Sequence, residues 1–333
     1  MTDAPSRRPG PAGPVLPAGQ IRLLTKVARM YHERGLRQPE IAAQLHISQP
    51  RVSRLLKKAV ELGIVRTIVI SPRGVYADME EAVEQKYGLS EVVVADTGDE
   101  TEEERILPAL ASTAAVYLET TLMGGERVGI SSWSSTLLAT VEAMQPRPAR
   151  TTEEVVQVLG GMGVVTAQAT ATRLTGRLAQ MTGGNAVYLP APGLVASSAT
   201  RDGLVADQAI ADVLRAWEHL TLLLAGIGSL EPSPLLRQSG NAIAETETAH
   251  LRRLGAVGDV CLRFFDAHGE HITTPFEDRL IGIGADVLRR VPRRVGVAGG
   301  DRKYNAIRAS LQGGWVNVLI TDHRVAERLA AEG

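Results

Sequence analysis

Short runs of β-branched and aliphatic residues recur through most of this chain, and each run ends in glycine or a small polar residue. A helical pattern follows each run. The runs are residues 92–95, 127–130, 155–159, 220–226, 294–298 and 316–320. Continuous apolar strands that alternate with helices are typical of a parallel sheet that is covered on both faces. The sequence therefore predicts an α/β fold with a doubly wound, mostly parallel sheet.

The segments around these runs have apolar residues at helical spacing. The predicted helices are 78–88, 101–120, 135–144, 168–182, 203–217, 278–290, 304–312 and 323–331. Apolar stretches such as residues 220–227 are shorter than the roughly 18 residues that a membrane span requires. Pro and Gly follow Arg7 and Arg8, so we expect no secretory signal and a cytoplasmic protein. A single cysteine, Cys261, excludes an internal disulfide and a Cys-based zinc site.

Charge is distributed unevenly along the chain, whose net charge at pH 7 is −1. Residues 20–66 carry a net charge of +7, and residues 67–333 carry −9. A basic segment that precedes an acidic remainder of the chain suggests that the segment binds a polyanion. The alternative is that a small segment with much surface is simply rich in charged residues. Residues 1–19 contain five prolines and three glycines and are expected to be a disordered tail. The predicted domains are residues 20–70 and 78–333, with a linker at 71–77.

Residues 38–58, QPEIAAQLHISQPRVSRLLKK, have the spacing of a helix-turn-helix motif, with His46 in the turn. The helix after the turn is expected to face Val52, Leu55, Leu56 and Val60 inward, and residues 64–70 are expected to form a closing strand. The candidate DNA-binding residues on its other face are Gln49, Pro50, Arg51, Ser53, Arg54, Lys57 and Lys58. In a major groove, the first residues of such a helix meet base edges and later basic ones reach phosphates, so we expect double-stranded DNA as partner. An amphipathic helix with a solvated basic face is the alternative.

Further motifs follow the helix-turn-helix pattern in a fixed order. They are GISSWSSTL at 129–137, LGGMG at 159–163, LPAPGLV at 189–195, LLLAGIGSL at 222–230, LGAVGDVCLRFFDAHGE at 254–270 and VAGGDRKYNAIRASLQGGWVNVLITD at 297–322. With these motifs, roughly residues 20–331 resemble the SorC family of sugar-responsive transcription regulators, also called the central glycolytic or deoxyribonucleoside regulator family. The resemblance implies a winged helix-turn-helix and an effector domain similar to sugar-phosphate isomerases. It also implies a homodimer or homotetramer whose operator binding is modulated by a phosphorylated sugar or a related metabolite.

A candidate effector pocket follows the strand predicted at 127–130. Ligands of open parallel sheets bind where strands end, and hydroxyl groups beside free helix N-terminal amides would form an anion pocket. The candidate residues are Ser132, Trp133, Ser134, Ser135 and Thr136. The family more often has glycine where this chain has Ser134, so the hydroxyl either crowds a phosphate or serves a smaller, unphosphorylated polyol. A Ser/Thr cluster that only caps the helix is the alternative.

Other candidate effector residues are spread along the chain, at Gly160, Gly161, Gln168, Asp259 and Lys303. The two glycines allow close approach of a ligand but are not part of a full dinucleotide fingerprint, so no cofactor is expected. The resemblance implies that Gln168 faces the sugar and that Asp259 accepts hydrogen bonds from its hydroxyl groups. Lys303 would place its ammonium on a phosphate or form an imine with a carbonyl sugar. The alternatives are a surface cap for Gln168, a turn aspartate for Asp259 and a surface lysine for Lys303.

The sequence favours a regulator over an enzyme. A sugar-phosphate isomerase-like enzyme is the alternative function, but it rests on fold analogy alone and does not need a basic helix-turn-helix. His268, Glu270 and His271 are close in sequence, but exposed turn polarity is favoured over a metal site there. We therefore predict a DNA-binding regulator of a carbohydrate or polyol catabolic operon, whose operator affinity is modulated by a bound sugar phosphate or polyol.

Overall fold

The computed structural model describes residues 17–65, 74–100, 102–132, 134–146, 149–161, 165–231 and 243–332, and only the backbone of Ala18 and residues 165–171. The chain divides into two compact units between Ile70 and Ser71. Most of the strand predicted at 64–70 and the predicted site residue Trp133 lie outside the described residues.

The smaller unit is a helical module. Its helices are α1 (Ala18–His32), α2 (Gln38–Leu45) and α3 (Gln49–Glu61). Val27, Ile41 and Val52 are fully buried and share one apolar cluster, which holds the three helices together. The turn between α2 and α3 contains His46 at φ 54° and ψ 41°, a left-handed conformation that glycine adopts more easily. The inward orientation predicted for Val60 is wrong, because this side chain is 53% exposed.

The larger unit alternates strands and helices. Its elements are α4 (Ala77–Tyr87), β1 (Glu91–Ala95), α5 (Glu103–Thr121), β2 (Glu126–Ile130), α6 (Ser135–Ala143), β3 (Thr152–Gln157), α7 (Val165–Thr182), β4 (Asn185–Val187), α8 (Ser198–Val205), α9 (Gln208–Trp217), β5 (Leu222–Gly226), β6 (Gly228–Ser229), α10 (Glu245–Arg253), β7 (Ala256–Val260), β8 (Arg263–Asp266), α11 (Ala285–Arg290), β9 (Arg293–Val297), α12 (Tyr304–Gln312), β10 (Val318–Asp322) and α13 (His323–Ala331). Short 3₁₀ helices lie at Glu277–Arg279 and Asp301–Lys303.

The main sheet has seven strands in the order β1-β10-β9-β5-β2-β3-β4, and every neighbouring pair is parallel. Successive residues of a strand enter different apolar clusters: Leu222 and Leu224 belong to one and Leu223 to the other. Both faces of the sheet are therefore covered, which confirms the predicted α/β class. The strands β6, β7 and β8 form a separate antiparallel sheet.

Two helix predictions need correction. The helix predicted at 203–217 is two helices, α8 and α9. The helix predicted at 278–290 is wrong before Ala285, because residues 278 and 279 belong to the short 3₁₀ helix and residues 280–284 are not helical. There the amide of Ile281 donates to Gly193 O at 2.8 Å and the amide of Ile283 to Val158 O at 2.8 Å. These partners are distant in sequence, so tertiary pairing overrides the local helical pattern.

No helix within the described ranges is long and apolar enough to cross a membrane.

Candidate functional site

A cavity of about 70 Å³ opens at the carboxyl ends of β2, β5 and β9, which are neighbours at the centre of the sheet. This is where open parallel sheets bind ligands. Its lining residues include Ser131, Ser134, Ser135, Gly226, Gly228, Ser229, Glu231, Asp259, Cys261, Leu262, Arg302 and Lys303. Four residues predicted from the sequence, Ser134, Ser135, Asp259 and Lys303, thus share one cavity although the chain separates them by up to 169 positions.

The turn between β2 and α6 contributes the serine hydroxyl groups. Ser134 is the N-cap of α6, and its Oγ accepts a hydrogen bond from the amide of Leu137 at 3.2 Å. The same side chain lines the cavity, so capping and lining are compatible here. Ser132 is buried and donates to Leu159 O at 3.2 Å, while Thr136 is buried as well. Neither Ser132 nor Thr136 is among the residues that line the cavity.

Asp259 lies on β7 at the floor of the cavity. Its Oδ2 accepts a hydrogen bond from the amide of Leu262 at 3.0 Å. A Cβ on Gly228 would collide with its Oδ1, so a larger residue on the facing strand would displace the carboxylate. Burial raises the pKa of Asp259 from 3.8 to about 6, and the Leu262 amide and Lys303 oppose this rise. Near its pKa the carboxyl group can accept a hydrogen bond when ionised and donate one when protonated.

A two-residue turn joins β7 to β8 at Cys261 and Leu262, between the paired residues Val260 and Arg263. Both turn residues are buried, and both have positive φ, at 56° and 60°. Two positive φ angles fit the right-handed twist of a hairpin, but non-glycine residues lose about 1–2 kcal/mol each in this conformation. Burial raises the pKa of the Cys261 thiol to about 12, so the thiol is protonated at neutral pH.

The buried Arg263 follows this turn as the first residue of β8. It donates from Nη1 to Glu277 Oε2 at 2.8 Å and from Nε to Ile283 O at 2.9 Å. His271 also contacts Glu277, with Nε2 at 2.7 Å from Oε1. His268, by contrast, is exposed. Within the described residues, no group of three His, Cys, Asp or Glu side chains is arranged to hold a metal ion.

The segment after β9 supplies two adjacent cations, Arg302 and Lys303. It begins at Gly300, with φ 90°, whose amide donates to Asp322 Oδ2 at 2.8 Å. The residue Lys303 is partly exposed, but protein surrounds its ammonium, and this burial lowers its pKa. Glu103 and Asp259 raise the same pKa by attraction. Arg302 is a lining residue that the sequence reasoning missed.

Besides Ser132 and Thr136, the predicted effector residues Gly160 and Gly161 are not among the described lining residues, and the side chain of Gln168 lies outside the described part of the chain. Gly160 packs against the backbone of Pro192 and Gly193, where a Cβ would come within 2.6 Å, and its amide donates to Ile281 O at 3.0 Å. Gly161 is partly exposed and is not a lining residue. Gln168 lies on α7, in the part of that helix for which only the backbone is described.

In the smaller unit, α3 presents a polar face to solvent. All seven candidate DNA-binding residues are exposed. Lys58 Nζ lies 3.1 Å from Glu61 Oε2, and Arg54 Nε lies 3.4 Å from Pro50 O. Arg51 and Lys57 make no ion pair with any residue that the structure describes. The basic side chains are therefore available to a polyanion.

A helix-turn-helix unit joined to an α/β unit with a polar cavity defines a ligand-controlled transcriptional regulator. Residues 74–331 match the family model described as "Putative sugar-binding domain", and residues 20–68 match a helix-turn-helix domain. The chain belongs to the SorC family of sugar-binding transcriptional regulators, as the motifs predicted.

Individual relatives agree with this family. The chain is 33% identical over 310 residues to the deoxyribonucleoside regulator of Bacillus subtilis, covering 92% of this chain and 97% of the relative. It is 30% identical over 313 residues to the sorbitol operon regulator of Klebsiella pneumoniae, covering 93% and 98%. The crystal structure of the full-length sorbitol operon regulator SorC from that organism superimposes with a TM-score of 0.70 at 28% identity, over 93% of this chain and 98% of that one. These relatives are regulators, so the isomerase-like alternative is set aside; the predicted likeness to isomerases stays a prediction.

Proposed function

We propose that the protein acts in the cytoplasm and controls a carbohydrate or polyol catabolic operon, with α3 on the operator and a sugar phosphate or polyol in the cavity. The observation that carries this proposal is the convergence of Asp259, Lys303 and the N-terminus of α6 on one cavity. Two of these groups are charged side chains that burial disfavours in their ionised forms. A ligand with hydroxyl and anionic groups satisfies both.

The cavity offers distinct partners for the two ends of such a ligand. The first amides of α6 have no carbonyl partner within the helix, and they attract an anion together with the Lys303 ammonium. Ser134 uses its hydroxyl on the Leu137 amide, which leaves the amide of Ser135, a lining residue, for the ligand. Asp259 accepts from a ligand hydroxyl group. An unphosphorylated polyol would instead use the serine hydroxyl groups and Asp259.

The effector assignment is tested by Lys303→Met, which keeps the length of the side chain and removes its charge. We expect unchanged operator affinity without effector and a roughly ten- to hundredfold weaker affinity for the phosphate ester that stabilises the wild type. The measurement is a thermal shift screen of phosphorylated and free sugars and polyols, followed by calorimetry on the hits. Equal affinity of both proteins for that ester would remove Lys303 from the site. A response of the wild type to free polyols alone would show that the effector is not a phosphate ester.

We assign base contacts to Gln49, Arg51 and Arg54, because Gln and Arg make bidentate contacts with adenine and guanine. These three residues lie in the first two turns of α3, and Pro50 and Ser53 share that exposed surface. Lys57 and Lys58 follow along the same helix and are assigned to phosphates.

Arg51→Ala should lower discrimination between operator and random DNA by about 1–3 kcal/mol. Lys57→Ala should weaken binding to both and reduce the salt slope by about one. Arg173→Ala, an exposed arginine of the larger unit, controls for the loss of one positive charge. Fluorescence anisotropy against salt concentration measures all three. Full affinity and specificity in both α3 variants would show that another surface binds DNA.

We also propose that the protein binds DNA as a homodimer or homotetramer. Two-fold symmetry places two copies of α3 on the half-sites of a palindromic operator. Effector binding would then change operator affinity by changing how the subunits pack. Sedimentation with and without effector and DNA measures the assembly, and a monomeric complex with a single half-site would contradict this model.

A further inference from the structure

We propose that the ion pair between Glu103 and Arg302 makes the cavity selective for an effector with a single anionic group, because Glu103 occupies the guanidinium that would bind a second one. Glu103 is the first residue of α5 and Arg302 lies on the 3₁₀ helix after β9. This inference rests on the proposed function, and it names the charge class of the effector.

The guanidinium of Arg302 is nearly saturated by protein acceptors. Its Nε and Nη2 donate to the two carboxylate oxygens of Glu103, at 3.0 and 2.8 Å. Its Nη1 donates to Ser229 Oγ at 2.8 Å and to Glu231 O at 3.3 Å. Four of the five N–H donors of the arginine are therefore engaged. Bidentate pairing of this kind is among the stronger hydrogen-bonded contacts in proteins.

The remaining charges of the cavity leave one cation for a ligand. Among the described lining residues, Lys303 and Arg302 are the cations, and Asp259 and Glu231 are carboxylates. With Arg302 paired to Glu103, Lys303 is the lining cation that forms no ion pair within 4 Å among the described residues, although Glu103 and Asp259 attract its ammonium from farther away. A single phosphoryl group can use it together with the α6 amides. A second phosphoryl group would meet the carboxylates of Glu103 and Glu231 instead, since Glu231 Oε2 lies 3.8 Å from Arg302 Nη1.

The pair lies where a ligand can reach it. The side chains of Arg302 and Glu103 keep 38% and 34% of their exposure, and Arg302 lines the cavity. Repulsion of the wrong ligand by a fixed charge is an effective way to obtain specificity. Glu103 therefore acts as an internal substitute for the second anion.

Inorganic phosphate and pyrophosphate test the inference without knowledge of the sugar, because they differ in the number of phosphoryl groups. Both are titrated into the wild type, Glu103→Gln, the double variant Glu103→Gln with Arg302→Gln, and the control Glu104→Gln. Glu104 is an exposed acid in the same helical turn. Calorimetry and the shift in melting temperature report binding by the full-length protein.

We expect Glu103→Gln to bind pyrophosphate roughly ten- to hundredfold more tightly than the wild type, while its affinity for phosphate changes much less. The double variant should lose this gain, and Glu104→Gln should behave as the wild type. An unchanged ratio of the two affinities in Glu103→Gln, or a gain that persists without Arg302, would overturn the inference. If the wild type does not bind phosphate, the phosphate site of the proposed function fails. The inference about Glu103 is judged by a different result, the gain in pyrophosphate affinity of Glu103→Gln.

Discussion

Replacing Asp259 by asparagine keeps the shape of the side chain and removes its charge. The amide oxygen of asparagine still accepts from the Leu262 amide, which Asp259 Oδ2 accepts at 3.0 Å. What changes is the free-energy cost of holding an ionised carboxylate in a buried site. We therefore expect Asp259→Asn to stabilise the ligand-free protein at neutral pH while it weakens effector binding.

The size of this effect follows from the pKa of Asp259. Burial raises that pKa from 3.8 to about 6, so the folded state favours the protonated acid. The stability that this preference contributes is fully present below pH 3.8 and is lost as the pH rises through 6. Above pH 7 the ionised group costs on the order of 3 kcal/mol. Asp259→Asn should equal the wild type in stability near pH 4 and exceed it by about that amount above pH 7.

Urea unfolding from pH 4 to 8, followed by tryptophan fluorescence, measures this difference. All three tryptophans, at 133, 217 and 315, lie in the larger unit, so the signal reports on the unit that holds the cavity. Asp301→Asn is the matched control, because its carboxylate is 53% exposed and pairs with Arg328 at the surface. A pH profile of Asp259→Asn that runs parallel to that of the wild type would refute the reasoning. So would a lower stability of this variant at pH 7.5.

Two further substitutions test the walls of the cavity by the same unfolding measurement. Gly228→Ala should cost about 1–3 kcal/mol, because its Cβ would collide with Asp259 Oδ1, whereas Gly203→Ala, where a Cβ meets nothing within 4 Å, should not destabilise by packing. Glu277→Gln should cost about 3 kcal/mol, because it leaves the Arg263 guanidinium, only 8% exposed, without its carboxylate. A loss below about 1 kcal/mol in Glu277→Gln would show that the carbonyl contacts of Arg263 suffice.

The strands were predictable because parallel strands that are buried on both faces are continuous apolar runs in the sequence. Residues 127–130 and 294–298, for example, overlap β2 and β9 almost completely. The extended segment before α11 was not predictable in this way. Its hydrogen-bond partners Gly193 and Val158 lie about 90 and 125 positions away, so no local pattern records them.

The part of the candidate site that the sequence predicted consists of residues that come soon after a strand. Ser134, Ser135 and Lys303 come soon after strands whose carboxyl ends meet in the sheet. Arg302 was missed because its contacts involve Glu103, which lies 199 positions away in the chain. They also depend on the 3₁₀ helix that contains Arg302, which the sequence did not predict. The left-handed turn at Cys261 and Leu262 contains no glycine or asparagine, the residues from which such a turn is usually predicted.

Several energetically unfavourable features of the larger unit lie at this cavity. Burial disfavours the ionised forms of Asp259 and Lys303. Cys261 and Leu262, which precede the buried Arg263, have positive φ angles that are strained for residues other than glycine. None of these features is needed to form the parallel sheet. The Leu262 amide and Lys303 favour the ionised form of Asp259, and Glu103 and Asp259 favour that of Lys303, but burial outweighs these contacts. Backbone strain of this kind is characteristic of ligand sites. Under the proposed function, a ligand with hydroxyl and anionic groups supplies the further partners. Substitutions that remove one of these features should therefore stabilise the ligand-free protein and weaken effector binding, because relief of the feature no longer contributes to the free energy of binding.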